Sequence, residues 1–325
     1  MNPPVSRQVL HKYELGTTKP GSEVLASLCK ALNVPADFFN RTALVKLDQI
    51  SFRKKADLGA KSENRIRETA RDYLERYLEL ELIVGRKSAL DNPLGKFHIK
   101  GIEDVEKAAE SLRKNWNLGD DPLYNVLELL EDHHVKIVML EADHEFSGFS
   151  GWVDGVPVIV LNNSQSIPRD RVRFTALHEL GHLLLDLSGH TEKQCEHFCN
   201  YFAGAMLIPK PRLIDELGYR RHTIHFKELG VVKQQYGISM AALLMRSKET
   251  GVLTVNGYKQ LCIELSALGY RKQEPFEYEG QEKAQRFIQL LLQAYTTEAI
   301  TTSKAAALNN QSLAEFRKEL AVQHA

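Results

Sequence analysis

The chain has 325 residues, of which 43% are hydrophobic and 26% charged, and its formal net charge at pH 7 is zero. This composition is typical of a globular protein of two or three domains. A net charge of zero excludes an overall electrostatic attraction of the chain to nucleic acid or to a membrane. No apolar run is long enough to span a bilayer, and no secretory signal pattern opens the sequence. The cysteines are scattered without a C-x-x-C pair, so we expect the reducing cytoplasm.

The first predicted module is basic and helical. Residues 1–55 hold nine Lys or Arg against four Asp or Glu, a surplus that fits a DNA contact surface. The stretch SRQVLHKYELGTTKPGSEVLASLCKALNVPADFF resembles the second half of a Cro/CI-type helix-turn-helix domain. The resemblance implies a recognition helix from Val5 to Glu14, a left-handed C-cap at Gly16, a helix from Ser22 to Leu32 and a short one after Pro35.

The first residues of such a recognition helix reach base edges. The predicted DNA contacts are Ser6, Arg7 and Gln8, with Lys12 and Lys19 near phosphates. The family's domain has two further helices before the recognition helix, and this sequence has no counterpart to them. Either the true start lies upstream, or this segment is a remnant that does not fold as a DNA-binding unit alone. We favour a helical arm used for packing or dimerisation over a DNA-binding unit, and keep DNA as a possible partner.

A long connecting helix is predicted next. From Ser62 to Val84 the sequence has no Pro or Gly, its charges are interleaved, and an apolar stripe follows helical spacing. The stripe consists of Ile66, Tyr73, Tyr77, Leu80 and Ile83. We interpret this segment as a core-packing or spacer helix. A helix from Val105 to Asn115 then leads into the following domain.

Two strands are predicted in that domain, HVKIVMLEAD and VDGVPVIVLN, separated by a Gly/Ser-rich segment. The run from Val156 to Leu161 lies just before the most informative helix of the chain. An edge strand can bind an extended peptide substrate through main-chain hydrogen bonds, so we hypothesise such an edge here. A central strand covered on both sides is the alternative.

The apolar run RFTALHELGHLLLDL carries H-E-x-x-H as His178, Glu179 and His182. Positions i and i+4 share one face of a helix, so the two imidazoles can bind one Zn²⁺. Glu179 lies beside them to take a proton from a metal-bound water. A buried amphipathic helix with two incidental histidines is the alternative.

A third ligand is expected on the next helix, TEKQCEHFCNYFAGAMLIP, because the x-x-G-x-x-H continuation is absent. Glu196 shares a face with the small or apolar Cys199, Ala203 and Leu207, and a buried carboxylate needs a partner. Pairing of Glu196 with Lys or Arg is the alternative. The less favoured ligands are His190 in a turn, Glu192, His197, and Cys195 together with Cys199, which we interpret as small packing residues.

Four segments in order resemble the ImmA/IrrE family of bacterial zinc metallopeptidases, from Pro122 to Pro209. They are PLYNVLELLEDHHVKIVML, FSGFSGWVDGVPVIVLN, RDRVRFTALHELGHLLL and EHFCNYFAGAMLIP. The second resembles the family's hairpin, and in the last Cys199 replaces an Ala. The resemblance implies one Zn²⁺ per chain held by His178, His182 and Glu196, with Glu179 catalytic. It also implies a protein substrate, a repressor of the Cro/CI type.

The C-terminal part, 213–325, is predicted to be helical. The segment QQYGISMAALLMRSKETGVL has helix–turn–helix character around Gly237, with Ser239 as N-cap. The segment KAAALNNQSLAEFRKEL is similar, with Asn310 or Ser312 as cap. We favour structural bundles over partner-binding or nucleic-acid-binding units, because no basic base-reading face stands out.

The predicted fold is α+β and mostly helical, with a small zincin-like sheet-and-helix metallopeptidase core. Four parts are expected: a partial helix-turn-helix at 1–45, a connecting helix at 46–95, the peptidase at 96–212 and the helical region at 213–325. The predicted function is a zinc-dependent endopeptidase. The alternatives are a DNA-binding regulator, or an antitoxin-like or scaffolding protein that binds a partner without turnover.

The candidates for a second oxyanion donor are His133, His134, Asn162 and Tyr201, among which the sequence does not choose. A homodimer is expected if the DNA module works. Mn²⁺ or Fe²⁺ are alternatives to zinc, although this ligand set favours zinc.

Overall fold

The computed structural model describes residues 5–32, 39, 50–52, 60–86, 89–143, 145–153 and 155–322. The helices there are α1 (Arg7–Glu14), α2 (Ser22–Leu32), α3 (Ala60–Ile83), α4 (Ile102–Asn115), α5 (Val126–Asp132), α6 (Arg169–Leu184), α7 (Glu192–Leu207), α8 (Lys210–Leu217), α9 (Phe226–Tyr236), α10 (Met240–Glu249), α11 (Val255–Ala267), α12 (Arg286–Thr296), α13 (Thr302–Leu308) and α14 (Leu313–Val322). The strands are β1 (Ile50–Phe52), β2 (Lys136–Leu140), β3 (Gly148–Val153) and β4 (Val156–Asn162). This is the predicted α+β architecture, mostly helical.

The N-terminal helices follow their local signals. Ser6 caps α1 by accepting a hydrogen bond from the amide of Val9, so the helix begins at Arg7 and not at Val5. Gly16 has φ +67°, and the amide of Thr17 reaches back to the carbonyl of Lys12 at 3.0 Å. This is the left-handed C-cap that the sequence predicts. The short helix expected after Pro35 falls on residues outside those described.

The sheet has the strand order β1-β3-β4-β2. β4 pairs with β2 in parallel and with β3 antiparallel, and Val158 to Leu161 are buried. The hypothesis that Val156 to Leu161 form an edge is therefore wrong, and the central-strand alternative is right. The unbroken apolar run without alternation is typical of a strand covered on both faces. The hairpin implied by the resemblance is confirmed as β3–β4.

Two compact units make up the fold. The first comprises residues 1–46, 75–87 and 287–325. Within it the rings of Tyr77 and Phe287 make a tilted contact with centroids 5.8 Å apart, and Arg76 donates to the carbonyl of Leu308 at 2.7 Å. Burial of Tyr77 and Leu80 confirms the core-packing interpretation of the long helix. Tyr73 and Ile83 of the predicted stripe are only partly buried.

The second unit comprises residues 47–74 and 88–286. In it α6 packs against α7 and against β3 and β4, while α4 packs on α7. A buried pair fixes these helices, because Arg246 of α10 donates to both carboxylate oxygens of Glu106 of α4 at 2.6 and 2.7 Å. Tyr201 of α7 donates to the same carboxylate at 2.6 Å. Helix α6 thus lies between the sheet and a layer of helices that includes α4, α7 and α10.

The turns of the C-terminal part also follow their signals. Gly237 has φ +61°, and Ser239 caps α10 by accepting from the amide of Ala242. Ser312, and not Asn310, begins α14, because its hydroxyl accepts from the amide of Glu315. The first amides of α10 donate to the carboxylate of Glu274, so this helix end is already bound within the fold. None of the helices in the described ranges is long and apolar enough to cross a membrane.

Candidate metal centre

The middle of α6 places the H-E-x-x-H residues in a buried setting. His178 and Glu179 are buried, and the side chain of His182 is 4% exposed. Gly181 lies between them where α7 passes closest. A Cβ at Gly181 would lie 3.3 Å from both Cys199 Sγ and Phe202 Cδ1. The absence of a side chain at this position therefore allows α7 to approach the histidines.

Three potential ligand residues, His178, His182 and Glu196, converge between α6 and α7. The Nε2 atoms of His178 and His182 are 3.1 Å apart. Glu196 Oε2 is 3.3 Å from the first, and Glu196 Oε1 is 3.0 Å from the second. Within the described part of the chain these three residues form a group whose ligand atoms all lie within 4.8 Å of one another.

These separations fit a zinc ion. Ligands at about 2.0–2.1 Å in a tetrahedron are about 3.3 Å apart, close to the three distances seen here. Two imidazoles and one carboxylate are also a ligand set that catalytic zinc sites use, with a water in the remaining position. The alternative of two incidental histidines does not explain why a carboxylate meets both Nε2 atoms.

The other ring nitrogen of each histidine also has a partner. His178 Nδ1 lies 3.0 Å from Asn200 Oδ1, and His182 Nδ1 lies 3.2 Å from Cys199 Sγ. An Nδ1–H donated to either partner leaves the Nε2 lone pair directed at the cluster. Such outer partners orient metal-binding imidazoles and fix their tautomer.

Glu179 is held by the sheet. Ser150 of β3 donates from its hydroxyl to Glu179 Oε2 at 2.8 Å, and both side chains are buried. The strand thus positions the carboxylate that lies next to the histidines along α6. Sequence reasoning did not find Ser150, because nothing in a Gly/Ser-rich segment marks which hydroxyl faces a helix.

Glu196 differs from expectation in its burial. Cys199, Ala203 and Leu207 are fully buried, but the side chain of Glu196 is 46% exposed and lies at the rim. Its ion partners among the described residues are His178 and His182 and not Lys or Arg. Contact with the histidines, and not burial, is what selects this carboxylate.

The less favoured ligand candidates lie elsewhere. His190 Nε2 bonds to the carbonyl of Ile99 at 2.7 Å, and His197 lies 3.7 Å from Glu249. Cys195 directs its thiol to the carbonyls of Leu187 and His190. Glu192 is exposed at the start of α7.

The four candidates for a second oxyanion donor are also placed. Tyr201 donates to Glu106, and the amide of Asn162 donates to the carbonyls of Ala142, Asp143 and Phe146. His133 stacks on Trp116 with ring centroids 3.9 Å apart, and His134 is exposed in the turn before β2. No hydrogen bond between these four and the metal cluster is present in the described residues.

The predicted DNA contacts lie on one exposed helix. Arg7, Gln8 and Lys12 of α1 are exposed, as is Lys19 in the following turn. Ser6 is exposed too, but its hydroxyl caps the helix. These residues are accessible to a nucleic acid, and their role stays a prediction.

Comparison with known proteins agrees with this arrangement. Residues 130–248 match the IrrE N-terminal-like domain, a peptidase family, and residues 5–39 match a helix-turn-helix. The two matches occur in the predicted order and contain every residue of the metal cluster and of α1. No curated protein matches the chain.

Proposed function

We propose that this chain is a zinc-dependent endopeptidase that hydrolyses a peptide bond in a transcriptional repressor of the Cro/CI type. One observation carries the proposal: a buried glutamate, held by Ser150, adjoins three ligands spaced for a tetrahedral metal. A purely structural zinc site has no need of such a base. The match of residues 130–248 to a peptidase family supports the same reading.

His178, His182 and Glu196 would hold the ion. When bound, zinc lowers the pKa of a coordinated water and polarises the peptide carbonyl. Glu179 accepts the proton of the attacking water and then donates it to the leaving amine. The hydrogen bond from Ser150 to Glu179 Oε2 fixes the orientation of that carboxylate on α6.

The proposed substrate class rests on the resemblance and on the second module. The same chain also matches a helix-turn-helix at residues 5–39, which supports a role in gene regulation. The test is cleavage of a Cro/CI-type repressor encoded by the same genome, followed by intact-mass spectrometry. We expect two fragments with the wild type and with Glu192→Gln, an exposed glutamate outside the cluster. Glu179→Gln should give none, and equal cleavage by it would refute the mechanism.

A second candidate is a DNA-binding regulator whose peptidase-like domain binds a partner without turnover. The exposed Arg7, Gln8 and Lys12 on α1 favour it. Bound zinc and retarded operator DNA, both unchanged by Glu179→Gln and without any cleavage, would decide for this candidate.

A further inference from the structure

The outer side of β3 carries a strand that comes from a distant part of the sequence. β1 pairs antiparallel with β3, with Ile50 opposite Val153 and Phe52 opposite Gly151. β2, β3 and β4 all lie within the 130–248 match, whereas β1 precedes it. The fourth strand of the sheet therefore comes from outside the matched segment, from the part of the sequence that follows α1 and α2.

β3 is also the strand that reaches the candidate active site. Ser150 donates to Glu179, and a Cβ at Gly148 would lie 3.0 Å from Thr175 Cγ2 of α6. Alternate residues of a strand share a face, so Trp152 lies on the same side of the sheet as Ser150. Trp152 is 37% exposed. The residues that β1 pairs with, Gly151–Val153, thus begin directly after the serine that bonds to Glu179 and include an accessible aromatic side chain.

Zinc peptidases commonly bind an extended peptide along such an edge by strand addition. We propose that in this chain β1 occupies the outer edge of β3 in cis, and that a substrate peptide binds there only by displacing β1. The inference rests on the proposed peptidase function. Strand addition supplies main-chain hydrogen bonds without demanding a particular sequence. Within the described residues β1 comprises Ile50–Phe52 and pairs with Gly151–Val153. An extended peptide that pairs with more of β3 than these residues makes more of these bonds and competes with β1.

The sequence of β1 indicates what kind of peptide would replace it on β3. β1 has the sequence Ile-Ser-Phe, with apolar residues flanking a small polar one that is paired with Trp152. The partner is therefore an extended protein segment with apolar residues at alternate positions. The substrate used as the probe is the Cro/CI-type repressor of the cleavage test above.

Two single proline variants test the occupancy and serve as controls for each other. In an antiparallel pair, successive residues alternate between directing their N–H at the partner strand and away from it. Only one of Ser51→Pro and Phe52→Pro therefore removes an N–H that faces β3. In the zinc-loaded full chain, that variant should show faster exchange of those amides among Gly151–Val153 that face β1, because β1 has loosened. The amides that face β4 should exchange at the wild-type rate.

Cleavage kinetics then identify the edge as the substrate site. The loosened variant should cleave the repressor with a KM about fivefold lower and an unchanged kcat, because β1 competes less and a larger fraction of the chains can bind substrate. The other variant should resemble the wild type. Faster amide exchange with an unchanged KM would overturn the proposal, as would unchanged exchange in both variants.

A peptide supplied in trans separates this proposal from the proposed function. The octapeptide DQISFRKK, residues 48–55, should bind the loosened variant more tightly than the wild type, and a version with both prolines should not bind. This binding is measured on Glu179→Gln protein and needs no turnover. Absence of cleavage in every variant would refute the peptidase, whereas absence of peptide binding would refute the strand exchange.

Discussion

At the residue scale, the imidazole of His178 is oriented by a side chain that does not belong to the cluster. Asn200 Oδ1 lies 3.0 Å from its Nδ1 and is on the exposed side of α7. We predict that Asn200→Ala lowers zinc affinity about 10- to 100-fold, the range usual for such outer partners. Asn200→Asp keeps an acceptor and should retain most of the affinity. Competition with a chromogenic chelator measures both, and equal affinities in Asn200→Ala and wild type would refute this role.

Ser150 should affect turnover and leave the metal in place. Its hydroxyl donates to Glu179 and contacts none of the three ligands in the described structure. We predict that Ser150→Ala lowers kcat about tenfold with unchanged zinc content. Ser147→Ala is the control, since Ser147 lies on the same segment and bonds to Arg171. Loss of zinc in Ser150→Ala would show that the serine has a different role.

The sequence identified the residues of the cluster but not those that orient them. His178, Glu179 and His182 are found by spacing along a single helix. Glu196 lies on a second helix, and it was identified because it shares a face of that helix with small or apolar residues. Ser150 and Asn200 depend on how a strand and a helix pack on α6, which no local pattern encodes.

At the element scale, the contact between α6 and α7 depends on Gly181. A side chain there meets Cys199 and Phe202 of α7 within 3.3 Å. We predict that Gly181→Leu moves α7 outward, destabilises the protein by about 1–3 kcal/mol and weakens zinc binding, because Glu196 moves away from the histidines. Denaturant unfolding and zinc titration measure the two effects.

The matched control is Leu180→Met, a change of similar volume at the neighbouring buried position. It should cost less than about 1.5 kcal/mol and leave zinc binding unchanged. If Gly181→Leu bound zinc as the wild type does, the close approach of the helices would not matter for the site.

The position of β4 shows where element-level reasoning stops. Its apolar run predicted a strand, but it did not indicate which other strands would pair with β4. β2 lies beside it in parallel, and β1 extends the sheet from outside the domain's own segment. Strand order depends on which distant segments pair, so the predicted edge was misplaced while the strand itself was correct.

At the scale of the whole molecule, stability should depend on pH through Glu131. This carboxylate is 5% exposed, and Oε2 accepts from the amides of Gln285 and Arg286 at 2.8 and 2.9 Å. Burial raises the pKa of Glu131 from 4.5 to about 7. A raised pKa favours the folded state while the group is protonated, and this contribution is lost as the pH rises through about 7.

We therefore predict that the free energy of unfolding falls between pH 5 and pH 8 by about 3 kcal/mol from this group. Glu131→Gln keeps an acceptor for both amides and removes the titration. The wild-type curve minus the variant curve, from urea unfolding at each pH, isolates the effect. Parallel curves would mean that Glu131 titrates normally in the fold.

The order of the modules was predictable, and their assembly was not. The helix-turn-helix and peptidase matches follow each other as the sequence indicates. The first compact unit, however, joins residues 1–46, 75–87 and 287–325, so the connecting helix is divided between two units. A boundary of this kind arises from contacts between segments remote in sequence, which composition and periodicity do not record.

The most direct test of the account is the zinc content of the purified protein and of three variants. We predict one zinc per chain in the wild type and in Glu179→Gln, which removes the base and keeps the ligands. His178→Ala and Glu196→Ala should lose the metal under the same dialysis. Zinc retained by His178→Ala, or no zinc in the wild type after incubation with the metal, would contradict the account.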